Sequence, residues 1–156
     1  PVTVLRFFNV YGPRLDKVDV GRLFTIFMGQ LLRGADLTVI GDGKQTRCFT
    51  YVTDAVEAIV QAGINPAADG QAINIGTDVE TTVLDFAKLM IDLYGPAKSK
   101  IKFVSQEEVY GKSYEDIPRR VPDNTRMKKL LGVMPKVSLR DGTARSMEWF
   151  RQEMNR

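Results

Sequence analysis

The hydrophobic period of this chain switches between two and about 3.6 residues, and that alternation limits it to folds in which strands and helices take turns. Val2 to Phe8 reads as a β-branched and aromatic strand, expected to be buried. Leu23, Ile26, Phe27, Leu31 and Leu32 recur at helical spacing, with Gly34 where a C-terminal cap belongs, which predicts a helix over 22–33. Leu37 to Ile40 is a short strand, Gly41-Asp42-Gly43 a turn and Cys48 to Val52 a further strand, so the two strands are expected to face each other as a hairpin. Thr53 is the expected N-cap of a helix through Ala55, Val56, Ala58, Ile59 and Val60, with Asp54 and Glu57 near its positive end. That helix stops near Asn65-Pro66, because proline disfavours helix at the residue before it. Gln71 to Gly76 is a brief strand, and Thr81 or Thr82 opens an amphipathic helix that ends at Gly95-Pro96. Ile101 to Val104 is a strand, whereas 105–124, with mixed charge and two prolines, reads as irregular. Asn124 or Thr125 caps a short helix through Leu131, and Ser138 caps the last helix. The sum is an α/β chain of mostly short strands, or a small α+β lobe, in one compact domain.

Composition narrows the function classes. With 156 residues, 44% of them hydrophobic and 26% charged, the chain is long enough to bury a core, and disordered, collagen-like and low-complexity readings are excluded. The net charge is +3 with the basic residues scattered, so no nucleic-acid partner is expected. No apolar run approaches the ~20 residues of a membrane span, and the sole Cys48 cannot form an internal disulfide, which fits a reducing cytoplasm. No signal peptide is expected, and the abrupt opening on a strand suggests a fragment whose preceding residues belong to the same sheet. The chain has no histidine. That removes the commonest metal ligand and the commonest general base, so neither a metal site nor a Ser-His-Asp triad is expected.

Three places combine a glycine-bearing turn with arginine: Asn9 to Arg14, Gly41 to Arg47, and Tyr110 to Arg120. A guanidinium fork matches phosphate or carboxylate bidentately, and glycine lets backbone N–H groups approach an anion, so together they suggest a diphosphate-bearing ligand.

Leu5 to Arg14, then Gly41-Asp42-Gly43-Lys44-Gln45-Thr46-Arg47-Cys48-Phe49-Thr50-Tyr51-Val52-Thr53-Asp54, then Asn74-Ile75-Gly76, resemble the second half of extended short-chain dehydrogenases/reductases acting on nucleotide sugars, the NAD-dependent epimerase/dehydratase family. The segment Tyr110 to Asp123 looks most like UDP-glucuronic acid decarboxylases, with UDP-glucose 4-epimerases and dTDP-glucose 4,6-dehydratases close behind. The resemblance implies the C-terminal part of a Rossmann-like fold, with a small mixed α+β substrate-binding lobe. It implies that Asn9 holds the sugar or diphosphate and that the backbone of Phe8, Asn9 and Val10 lies beside the nicotinamide of NAD. Arg47 matches an arginine that binds diphosphate, and Arg22 a second phosphate or uridine contact. Leu37 to Ile40, with Thr38 and Val39 at its centre, matches the strand that lines the nucleotide base. Arg120 matches an arginine that reaches the sugar carboxylate or assists its loss, and Tyr114 is placed to hydrogen-bond the sugar. Spacing does not say which of Arg119 and Arg120 points inward.

Two hallmarks of that family do not occur. There is no Gly-x-x-Gly-x-x-Gly turn for the NAD pyrophosphate. Of the tyrosines, only Tyr94 has a lysine four residues on, and Gly95-Pro96 between it and Lys98 breaks the helix that would align them. The expected function is therefore the nucleotide-sugar-binding half, most plainly for a UDP-sugar, of an enzyme that oxidises the sugar at C4 with NAD, lets the ketone drive epimerisation, dehydration or decarboxylation, and returns the hydride. The other reading is a non-catalytic nucleotide-sugar-binding or assembly module. In either case the bare strand edge at Val2 to Phe8 implies a homo-oligomer or pairing with the missing half.

Overall fold

The computed structural model describes residues 1–95, 98–111 and 116–154. Its sheets are small and mostly parallel. Strand β1 (Val4–Phe7) pairs with β6 (Ala72–Ile75), β2 (Val10–Tyr11) with β5 (Thr50–Tyr51), and β3 (Leu37–Ile40) with β8 (Ile101–Val104), all parallel. A third two-residue strand, β4 (Thr46–Arg47), lies between antiparallel β7 (Thr81–Thr82) and parallel β9 (Arg119–Arg120). Parallel neighbours require long crossovers, and these are supplied by α1 (Leu23–Leu32), α2 (Val52–Ile64) and α3 (Val83–Tyr94). Helices α4 (Gln106–Tyr110) and α5 (Leu139–Met154) follow, with a short 3₁₀ turn over Pro66–Ala68 and a π turn over Met127–Leu131.

Aromatic side chains from distant segments make the main core. Phe24 and Phe27 of α1 meet Phe86 of α3, and Phe49 stacks on Phe86 at 4.2 Å between ring centroids. A second core lies under α2, whose inner face is Ala55, Ala58 and Ala62; these small residues let the helix approach Ile73, Ile75, Met127 and Leu131 closely. Among the described residues, no helix is long and apolar enough to cross a membrane.

Several expectations are corrected. The expected hairpin does not form: β3 takes β8 as its parallel partner, and the Cys48–Val52 run is divided between β5 and the start of α2. Cys48 and Phe49 are both buried and lie between β4 and β5, and the chain enters α2 at Val52. The first strand is half-open instead of buried, with Val4 52% and Phe7 50% exposed, because β6 flanks it on one side only. Thr53 does not cap α2: Tyr51 stands at that position, without a side-chain bond, while Asp54 is buried and accepts the Val137 N–H at 3.1 Å. The segment read as irregular contains α4, opened by a reciprocal capping box between Ser105 and Glu108, and β9. Beyond it, Asn124 holds the expected N-cap position, its carbonyl accepting the Lys128 N–H at 3.0 Å, but its buried side chain donates to the Gly76 carbonyl and Asp123 accepts the Thr125 N–H at 2.9 Å instead. Ser138 and Thr82 cap their helices as expected, bonding the N–H groups of Asp141 and Asp85.

Candidate functional site

The site grows from the register of two very short strands. Arg47 lies opposite Arg120 across β4 and β9, and Thr46 opposite Arg119. Side chains alternate along a strand, so this register sends Arg47 and Arg120 to one face and Thr46 and Arg119 to the other. On the outer face Glu80 gathers both, accepting from Thr46 Oγ1 at 2.9 Å and from Arg119 Nη2 at 2.5 Å. Arg119, with Thr46 second, holds the Glu80 carboxyl below its ordinary range. On the inner face Arg47 and Arg120 line a cleft of about 690 Å³ that also takes in Asn9, Arg22, Thr38 and Ile40. The choice between the two adjacent arginines is thus made by strand parity, and Arg120 is the inward one.

Arg47 is held by the scaffold. Its side chain is only 12% exposed, its Nη1 donates to the carbonyls of Thr46 and Ile117 at 2.8 Å each, and its Nη2 meets Asp116 Oδ1 at 2.7 Å. Arg22 stands at the N-cap of α1 and reaches back to β2, donating to the Val10 carbonyl at 3.1 Å and pairing with Asp16 at 3.2 Å. The first turn of α1 carries no acidic residue, and its opening residues Leu23 and Phe24 line the cleft beside Arg22. Three guanidinium groups and a helix N-terminus therefore converge on one space. A bound anion would receive charge-assisted hydrogen bonds of about 1.5–3 kcal/mol each.

The remaining expected residues divide. Asn9 adopts the left-handed backbone (φ 42°), and its Nδ2 donates to the Cys48 carbonyl at 3.2 Å, so it closes the join between β1 and the Cys48–Tyr51 segment while bordering the cleft. Phe8 is engaged through its backbone, donating to Ile75 and accepting from Thr50 Oγ1. Val10 borders the cleft, with its carbonyl taken by Arg22. Thr38 lines the cleft, whereas Val39 is fully buried in the core and Ile40, not singled out from the sequence, takes the cleft-facing place beside it. Alternation along β3 explains the exchange. Tyr114 lies outside the described residues.

Sequence reasoning also passed over Gln30, Gln45 and Asp116, all of which line the cleft. The available signal was Gln30 itself, a polar residue set among Phe27, Met28, Leu31 and Leu32 on a helix whose other polar side chain is Thr25. Elsewhere, Tyr11 is buried, donates to the Leu139 carbonyl, and is pushed well above its ordinary range by that burial. Helix α3 ends at Tyr94, whose ring lies under the Arg151 guanidinium at 4.4 Å, so Lys98 is beyond the helix. No group of three or more metal-ligating side chains occurs among the described residues.

Residues 1–76 match the NAD dependent epimerase/dehydratase family. The chain is 42% identical to a UDP-N-acetyl-alpha-D-glucosaminuronate decarboxylase of Bacillus cytotoxicus, over 99% of this chain and 48% of that protein. It is 39% identical to UDP-glucuronic acid decarboxylase 4 of Arabidopsis thaliana, over 98% of this chain and 32% of that one. The fold matches the UDP-glucuronic acid 4-epimerase of Bacillus cereus, solved with UDP-glucuronic acid and NAD, with a TM-score of 0.84, 30% identity, and coverage of 98% of this chain and 46% of that one. The chain therefore spans between a third and a half of the length of these relatives.

Proposed function

We propose that this chain, whose residues 1–76 match the NAD dependent epimerase/dehydratase family, is the substrate-holding portion of an enzyme that modifies UDP-sugars, similar in kind to the decarboxylases of UDP-uronic acids that it resembles. The observation that carries this reading is the register that puts Arg47 beside Arg120 in one cleft, with Arg22 at its wall. In this assignment Arg47 and Arg22, with the N-terminus of α1, take the diphosphate. Arg47 is pre-organised by its carbonyl and Asp116 partners, so little side-chain entropy remains to be lost on binding. Arg120 takes the sugar carboxylate, whose two oxygens match the guanidinium fork. Asn9 borders the sugar, and β3 offers its edge to the base.

Loss of a carboxylate from a sugar needs an electron sink, and a nicotinamide provides one when bound by creating the neighbouring ketone. The residues here do not fit the dinucleotide's pyrophosphate, which is cradled by a glycine turn between a strand and a helix. Helix α2 follows β5 directly through Tyr51, and Gly76 after β6 leads towards β7, not into a helix. NAD is thus assigned to a dinucleotide-binding portion outside these residues, with Phe8, Asn9 and Val10 as this chain's contribution beside it. That portion would extend the sheet from the free edge of β1 and cover Val56, Ile59, Val60 and Ile64, the exposed apolar stripe of α2.

Calorimetric titration of the chain with UDP, UDP-glucose, UDP-glucuronate and NAD tests the assignment. The expected result is binding of UDP and both UDP-sugars, tightest for UDP-glucuronate, and none of NAD. Binding of NAD with no response to UDP-sugars would overturn it, and so would silence towards all four.

A further inference from the structure

The edge of β3 that faces the cleft carries an ordered row of four backbone groups. Leu37 and Gly41 direct their N–H groups at β8, to the carbonyls of Lys100 and Val104, so by alternation Thr38 and Ile40 direct theirs away from β8 and towards the cleft. Along that edge the order is Thr38 N–H, Thr38 C=O, Ile40 N–H, Ile40 C=O. Both outer groups are occupied by glutamine side chains. Gln30 of α1 accepts the Thr38 N–H on its Oε1 at 3.1 Å, while its Nε2 donates to Thr38 Oγ1 at 3.0 Å. Gln45 donates from its Nε2 to the Ile40 carbonyl at 3.0 Å, and its own carbonyl receives the Val83 N–H at 3.0 Å, anchoring it to α3. Among the described residues the inner two groups, one acceptor followed by one donor, have no protein partner, which leaves them for a ligand. All four residues line the same cleft.

We propose that Gln30 and Gln45 are positioning residues that set the hydrogen-bond pattern read by the nucleobase, so that this edge selects an imide base, uracil or thymine, over cytosine. The proposal rests on the UDP-sugar reading above and adds the residues that enforce base choice. An imide presents a ring N–H beside a carbonyl, which complements the Thr38 C=O and Ile40 N–H. With the diphosphate anchored on Arg47 and Arg22, cytosine in the same placement sets its ring nitrogen against the Thr38 carbonyl and its amino group against the Ile40 N–H. Each opposition leaves a desolvated polar group without a partner, which is the strongest source of rejection available to such a site. The glutamines act by removing the competing groups: without Gln30 the edge gains a free donor, and without Gln45 a free acceptor, so the pattern ceases to be unique.

The test is calorimetry of the wild-type chain, Gln30→Leu, Gln45→Leu and Gln30→Glu with UDP, dTDP, CDP and inorganic pyrophosphate. Wild type is expected to prefer UDP and dTDP over CDP. Each leucine variant is expected to lose about tenfold in UDP affinity while its affinity for pyrophosphate stays within about twofold, so that the UDP-to-CDP ratio falls towards one. Gln30→Glu keeps an acceptor for the Thr38 N–H and should keep the ratio, even as its added charge weakens every diphosphate. A ratio unchanged in both leucine variants, or UDP and pyrophosphate affinities that fall together, would overturn the proposal and leave the UDP-sugar reading standing. Absence of UDP binding by wild type would overturn both. Thermal melts verify folding, and Gln30→Met, which keeps the side-chain volume, replaces Gln30→Leu if that variant does not fold.

Discussion

Arg47 shows how one side chain is made part of a scaffold and of a site at once. Its guanidinium satisfies two backbone carbonyls and Asp116 in a nearly closed setting, so Arg47→Ala removes the proposed phosphate ligand and also leaves those acceptors unpaired. The variant is expected to lose measurable UDP binding and about 1–3 kcal/mol of stability, read by calorimetry and urea unfolding. Arg120 is exposed and its side chain makes no comparable bonds among the described residues, so Arg120→Ala should leave urea unfolding within about 0.5 kcal/mol of wild type. Its effect belongs to the ligand: UDP-glucuronate binding is expected to weaken about tenfold or more and UDP-glucose binding far less. Equal losses for the two sugars would remove the carboxylate role. Cys48 serves the site through its carbonyl, the acceptor of Asn9, and its side chain is buried; burial pushes the thiol up to about 11, and it should stay silent to thiol reagents until the chain unfolds.

Among the elements, those with a local signature were legible in advance. Helices α1 and α3, strands β3 and β8, and the Ser138 cap each follow from period, glycine placement or a capping side chain confined to a few residues. Strands β4, β7 and β9 were not, because two residues have no period, and their pairing joins positions 47, 81 and 120 through contacts that no local pattern announces. The capping box at Ser105 and Glu108 was readable but was masked by the mixed charge around it. The candidate site shares this division: Arg47 was legible from its motif, whereas the inward turn of Arg120 depended on pairing alone. Helix α5 supplies an element-level test that reverses an ordinary rule. Replacing glycine by alanine inside a helix normally stabilises by up to about 1 kcal/mol. At Gly142, however, an added Cβ would meet Tyr11 Oη and the Tyr51 ring, both fixed in the core. Gly142→Ala is therefore expected to destabilise by about 1–3 kcal/mol in urea unfolding.

At the scale of the whole molecule, surface charges tie distant segments together and set the acid limit of the fold. Lys128 lowers Asp78, Arg119 lowers Glu80 and Arg33 lowers Asp19, each carboxyl being held below its ordinary value by a partner far along the chain. A depressed carboxyl contributes stability that is complete above its unfolded value and is lost as pH falls through its folded one. The melting temperature should thus hold steady from neutrality down to about pH 5 and fall as the medium passes below the ordinary values of 4.5 for Glu80 and 3.8 for Asp78. A melting temperature that peaked below pH 4 would contradict this. The apolar stripe of α2 has a separate consequence: Val56→Lys with Val60→Lys should change the melting temperature of this chain little, since both side chains are half-exposed.

The doubled arginine of β9 carries a further implication. A ladder of two residues holds its register weakly, and a shift by one position would turn every side chain on it over. Here such a shift would turn Arg119 inward and Arg120 outward, so each face would again carry a guanidinium, one at a level already used and the other two residues along the ladder. The message is written twice in adjacent letters, so a misreading by one letter keeps the sign of the charge on each face.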